Sequence, residues 1–80
     1  MTIRFSRHAK RRMTLYNIDE KDVLDTIQNL SLKGEVAGKK EVIDENLSLK
    51  YGYPLKVIFS CENDKIIVVS VYPFIRRHES

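Results

Sequence analysis

Residues 1–80, with a formal charge of +3 and an isoelectric point of about 9.1, read as a single domain near the lower size limit for a self-sufficient core. The basic balance favours an anionic partner, either a nucleic acid or an acidic protein segment. A lone cysteine, Cys61, excludes an intramolecular disulfide and suits a reducing, cytoplasmic setting, and one cysteine with two distant histidines offers no zinc-type spacing.

No apolar run is long enough to span a bilayer and no secretory pattern is present, so no membrane partner is expected. Thr2 to Phe5 reads as a short extended lead-in, with Ile3 and Phe5 to one side and Arg4 to the other. Ser6 suits the N-cap of a first helix. In that helix Phe5, Ala9, Met13 and Tyr16 or Asn17 recur at near-helical spacing, toward the core. His8, Arg11, Arg12 and Leu15 fall on a neighbouring face by i, i+3, i+4, i+7 spacing. Residues 4–12 carry five basic side chains, Arg4, Arg7, Lys10, Arg11 and Arg12, and no acid. Residues 13–80 are thereby left at −2, so the whole basic excess sits here. Arg7, Lys10 and Arg11 stand in the early turns, where the positive end of the helix dipole prefers acids. A chain that breaks a local rule often does so at a working surface, although a solvated basic face is the commoner meaning of a charge run taken alone.

The second helix is the best marked. Asp19 suits its N-cap, Glu20 and Asp22 complement the dipole, and Ile18 can staple onto Val23. Val23, Leu24, Ile27 and Leu30 form an apolar stripe for the core. After Leu32 the period turns to alternation. Strands are predicted over Gly34 to Ile43, Leu47 to Tyr51, Leu55 to Cys61 and Lys65 to Tyr72, with a turn at Gly52-Tyr53-Pro54. The run Ile66-Ile67-Val68-Val69 is apolar on both faces and belongs in a covered central strand. The order predicts an α+β fold, a helical pair packed on a twisted, mainly antiparallel sheet of about four strands.

His8, with two arginines a helical turn away, can serve as acid or base or bind a phosphate; the plain alternative is a surface or capping histidine. Arg11 and Arg12 suit bidentate phosphate contacts, or they can cover the core and pair with acids of the second helix. Arg76, Arg77 and His78 repeat the same ingredients at the C-terminus, where solvated tails are common. Tyr51 and Tyr53, flanked by Lys50 and Lys56, present rings between cations, which suits stacking on unpaired bases; a tyrosine at a strand end is also an ordinary core border. No phosphate loop, paired-carboxylate site or nucleophile triad is legible, and no cofactor is expected.

The block His8-Ala9-x-x-Arg12-Met13, followed by Ile18, an acidic cap and Val23, resembles the start of a small prokaryotic domain-of-unknown-function family. That family carries an H-A-x-x-R-M helix and is grouped with RelE/ParE-like toxins. Leu55 to Phe59 and Ile67 to Pro73 are similar to its closing hairpin. Family members usually have a second arginine where this chain has Tyr16 and a glycine where it has Asn17. The resemblance implies a RelE/ParE-like fold and a toxin–antitoxin pair, with an antitoxin protein and RNA or the ribosome as partners. The Ile66-Ile67-Val68-Val69 run, apolar on both faces, calls for cover by such a partner, or by a homodimer where the antitoxin is absent. RelE-type toxins cut messenger RNA without a metal. Carried over to this chain, that implies catalytic roles for His8, Arg12 and His78; Arg4, Arg7, Lys10, Arg11, Tyr51, Tyr53, Arg76 and Arg77, basic or aromatic in their own right, read as the nucleic-acid contacts. A non-catalytic module binding nucleic acid or an acidic protein through the same patch, and a gyrase-directed inhibitor of ParE type, stand as alternatives.

Overall fold

A computed structural model describes residues 2–30, 38–62 and 65–75 of the protein. The fold is α+β: a four-stranded mixed sheet carries the helices on one face. Strand β1 (Thr2–Phe5) leads into helix α1 (Arg7–Leu15) and then α2 (Glu20–Gln28). Strand β2 (Gly38–Asp44) is followed by a 3-10 turn (Glu45–Leu47) and a short helix α3 (Ser48–Tyr51), then by β3 (Leu55–Glu62) and β4 (Lys65–Pro73). The sheet order is β1-β4-β3-β2, with β2–β3 and β3–β4 antiparallel and β1–β4 parallel.

Two expectations change. Leu47 to Tyr51 is helical, because Asp44 accepts the Asn46 N–H (3.0 Å) and Gly52, at φ 86°, ends the turn. Leu47 and Tyr51 then share a face at i, i+4, while Leu49 is 93% exposed. Thr2 to Phe5 supplies the missing fourth strand. It lies parallel to β4, with Ile3 opposite Ile66 and Phe5 opposite Val68. The strand expected from Gly34 is β2 from Gly38 onward; residues 34–37 lie outside the described residues.

The core follows the alternation of β3, where Leu55, Val57 and Phe59 are buried. Against them lie Ile66, Val68 and Val71 of β4, Ala9 and Met13 of α1, Ile18, and Val23 and Ile27 of α2. A β-bulge at Val69 shifts the β3–β4 register, so that Phe59 faces Val68 while Ile58 faces Ser70. Ser6 reads the bulge: its N–H donates to the Val68 carbonyl and its hydroxyl to the Val69 carbonyl, both at 2.9 Å. The same hydroxyl accepts the Ala9 N–H as the N-cap of α1 (3.0 Å). The bulge thus fixes where α1 begins.

Helix α1 ends in a Schellman motif: Ile18 N–H donates to the Met13 carbonyl (2.8 Å) and Asn17 N–H to that of Thr14 (3.3 Å), with Asn17 at φ 56°. Asparagine is the side-chain-bearing residue that best tolerates this left-handed position. The turn delivers Ile18 into the core, immediately before α2.

Among the described residues no helix packs on the opposite face of the sheet, which is left largely open. By strand register it displays Arg4, Ile67 and Tyr72 with Ile58, Ser60, Lys56 and Glu41. Ile67 is 40% exposed, so the apolar run of β4 is central in the sheet but, among the described residues, covered by helices on one side only. Lys56 pairs with Glu41 there (3.3 Å) and lies 5.7 Å from the Phe74 ring centroid, which brings the chain after β4 against this face.

Candidate nucleic-acid interface

Helix α1 buries Ala9 and Met13, which turns its opposite side to solvent. At about 100° per residue, Arg11 stands at the centre of that side, with Arg7 and Leu15 next to it. His8 and Arg12 form one flank; Lys10 and Thr14 form the other. Arg7, His8, Lys10 and Arg11 are exposed and Arg12 is half-buried. The first turn holds no acid, so nothing local neutralises Arg7 and Lys10. Arg12 alone stands in the last turn, where a cation suits the dipole.

Among the described residues these cations have no acidic partner. Among the described residues the ion pairs are Lys50–Asp19, Lys50–Asp22 and Lys56–Glu41, and none draws on residues 4–12. His8 likewise makes no hydrogen bond to a described residue, and Ser6, not His8, caps the helix. The alternative in which Arg11 and Arg12 pair with acids of α2 is not what the structure shows; Asp22, and the cap residue Asp19 before it, pair with Lys50 instead. Arg4 stands apart from this face, because β1 turns it to the open side of the sheet, opposite Ile67.

The second polar cluster is structural. Tyr51 donates its hydroxyl to Asp22 Oδ2 (2.5 Å) and accepts the Asp19 N–H (3.0 Å), while Lys50 Nζ reaches Asp19 Oδ2 (3.0 Å) and Asp22 Oδ2 (2.8 Å). Asp19 occupies the N-cap position without capping through its side chain, which Lys50 has claimed. Buried Thr26 donates to Asp44 Oδ2 (2.6 Å), tying α2 to the end of β2. Tyr51 is therefore a strut whose hydroxyl is committed. Tyr53 lines a cleft of about 460 Å³ with Pro54, Phe74 and Ile75. A second cleft, of about 400 Å³, lies between the end of α1 and the start of α2 and includes Lys10 and Thr14. Arg76, Arg77 and His78 lie outside the described residues.

Lys50 and then Tyr51 hold the Asp22 carboxyl below its ordinary value, and Asp22 and then Asp19 raise Lys50 in return. Burial and the bond to Asp22 push Tyr51 up. A carboxylate with a depressed folded-state pKa contributes stability above its unfolded value and loses it as pH falls through the folded one. Tyr51→Phe is expected to cost about 1–2 kcal/mol at neutral pH and, by letting Asp22 return toward its ordinary value, to flatten the acid limb of a stability–pH profile. Urea melts between neutral and strongly acidic pH measure both; an unchanged acid limb would show that Lys50 alone holds Asp22.

Among the described residues, no group of three or more His, Cys, Asp or Glu is placed to hold a metal ion, and no helix is long and apolar enough to cross a membrane. A family model for a domain of unknown function, DUF4258, matches residues 5–73. The chain belongs to that family. No curated protein and no solved structure matches it. The DUF4258 span contains α1 with His8, Arg11 and Arg12, the Tyr51 strut and the closing β3–β4 hairpin; it leaves out Arg4 and the C-terminal Arg76, Arg77 and His78. Of the two histidines, His8 alone falls within it.

Proposed function

We propose that this chain is the toxin of a toxin–antitoxin pair, a metal-independent endoribonuclease that docks messenger RNA on α1. The observation that supports it is the unpaired cationic face formed by Arg7, Arg11 and Arg12 around an exposed His8. Unpaired, solvated cations release counterions when they meet phosphates, whereas cations already bound to carboxylates first lose a partner. In the proposed reaction His8 takes the proton of the ribose 2′-hydroxyl as its oxygen attacks the neighbouring phosphorus. Arg11 and Arg12 balance the charge gathering on the phosphoryl oxygens, and the 5′-oxygen leaves with a proton from an acid, for which His78 is the nominee. The products are a 2′,3′-cyclic phosphate and a 5′-hydroxyl. The antitoxin is assigned to the open sheet face, with Ile67 exposed and Arg4 beside it.

A second reading, a non-catalytic RNA-binding module, is favoured by one observation. His8 lies on a convex helix face, and neither cleft described above is lined by His8, Arg11 or Arg12. The two readings share their binding surface. Arg11→Glu with Arg12→Glu is expected to weaken RNA binding and to lower the slope of log affinity against log salt by about 0.7 per lost phosphate contact on single strands. Fluorescence titration at several salt concentrations reads this, and an unchanged slope would move the RNA off α1. Incubation of the unaltered chain with RNA in the presence of a chelator separates the readings: cyclic-phosphate ends support the toxin, intact bound RNA the module. Growth arrest with DNA damage and no RNA fragments would instead indicate gyrase as the target.

A further inference from the structure

Strand β2 ends the sheet, and among the described residues it hydrogen-bonds to β3 alone. Its sequence, Gly38-Lys39-Lys40-Glu41-Val42-Ile43-Asp44, runs from basic to acidic and is followed by Glu45. We propose that β2 is a dimerisation edge, pairing antiparallel with β2 of a second copy about a two-fold axis at Val42. This inference is independent of the toxin reading.

The charges select that register. A two-fold axis perpendicular to the sheet keeps up-facing residues up, so the only registers available place one residue opposite itself. With Val42 on the axis, Lys40 faces Asp44 and Glu41 faces Ile43, each contact occurring twice. Centring on Glu41 or on Lys40 sets like charges against each other at the axis; centring on Ile43 sets the apolar Val42 against the Asp44 carboxylate. Opposite charges across a strand pair are favourable and like charges are not. The same lysines discourage an unrelated strand, which would meet them without acids to offer. A second copy supplies the acids in place.

The packing agrees. Val42 lies opposite Val57, on the helix-covered face, and packs at the margin of the core. Pairing at Val42 would carry the apolar layer across the axis and leave both helical layers on the same side of one continuous sheet. Lys40 and Asp44 share that face by register with Phe59 and Leu55. Asp44, which already receives Thr26 and Asn46, has lone pairs to spare for an ammonium.

Sedimentation of the purified chain over a concentration series is expected to show a monomer–dimer equilibrium. Lys40→Glu, which turns two attractions into two repulsions, is expected to weaken it about tenfold. Mixing that variant with Asp44→Lys restores both pairs in a heterodimer, so the mixture should associate more tightly than either variant alone. Because Asp44→Lys also removes the Thr26 contact, a second measurement stands apart from it. In a Cys61→Ser background, Val42→Cys should form a disulfide-linked dimer under mild oxidation, and Lys39→Cys should not. A monomer throughout the series overturns the proposal, as does a dimer that ignores Lys40→Glu and cross-links at Lys39→Cys in preference to Val42→Cys.

Discussion

His8→Gln is expected to lower RNA cleavage by about 10²–10⁴-fold, the usual consequence of losing a general base, while RNA affinity and folding stay close to those of the unaltered chain. Stability should hold because His8 is exposed and hydrogen-bonds to no described residue; substitutions at such positions cost roughly 0.5 kcal/mol or less. Affinity should hold because Arg7, Arg11 and Arg12 remain, and phosphate binding scales with the cations that are unpaired. Single-turnover cleavage, a binding titration and a thermal melt on the same preparation read the three quantities separately. Full cleavage by the variant removes His8 from the chemistry. A fall in affinity equal to the fall in cleavage makes His8 an RNA contact and not the base.

That experiment can be framed because the sequence already marks His8 and the cations around it, yet their freedom could only be read from the fold. The period of α1 placed Ala9 and Met13 inward, which forces Arg11 outward, and Ser6 was legible as a cap because its chemistry is local. Whether Asp19 and Asp22 are left open to Arg11 and Arg12 depends on where Lys50 and Tyr51 stand, 28 to 32 residues beyond those acids. No local pattern carries that distance. Asp19 and Asp22 read correctly as the start of α2, but their side chains serve a tertiary contact as well as the helix dipole.

The errors in the fold have the same origin at two lengths. Five residues from Leu47 to Tyr51 are too few to separate a period of two from an i, i+4 pair, and Asp44 and Gly52 settle the matter as cap and stop. Strand β1 pairs with β4 across some 63 residues, a parallel partnership that nothing in Thr2–Phe5 announces. The bulge at Val69 was hidden inside the apolar run of β4. It alternates Ile66 and Val68 inward, then resets so that Val71 is buried as well. A run that reads as apolar on both faces is therefore partly a register shift and partly an open face carrying Ile67.

Phe59→Ala is expected to consume most of the stability of the domain. Phe59 is 1% exposed, heads the fully buried side chains in size, and lies on β3 between β2 and β4, opposite Lys40 and Val68. Truncating a buried Phe to Ala costs about 3–5 kcal/mol, in lost transfer energy and a residual cavity. A chain of this size has about 4–12 kcal/mol in total. The register shift next to Phe59 and the Ser6 anchor one residue beyond Val68 make collapse into the cavity costly, because movement of β4 there displaces the start of α1. With a urea slope of about 1 kcal/mol per molar for a small domain, the midpoint should drop by roughly 3 M, or the variant should be unfolded without denaturant. Ile67→Ala, on the open face of the same sheet, should move it far less. A shift below 1 kcal/mol for Phe59→Ala would mean that the core is not built around β3. The pair also calibrates the nuclease test: loss of the core lowers cleavage and affinity together, whereas loss of His8 on the proposed mechanism separates them.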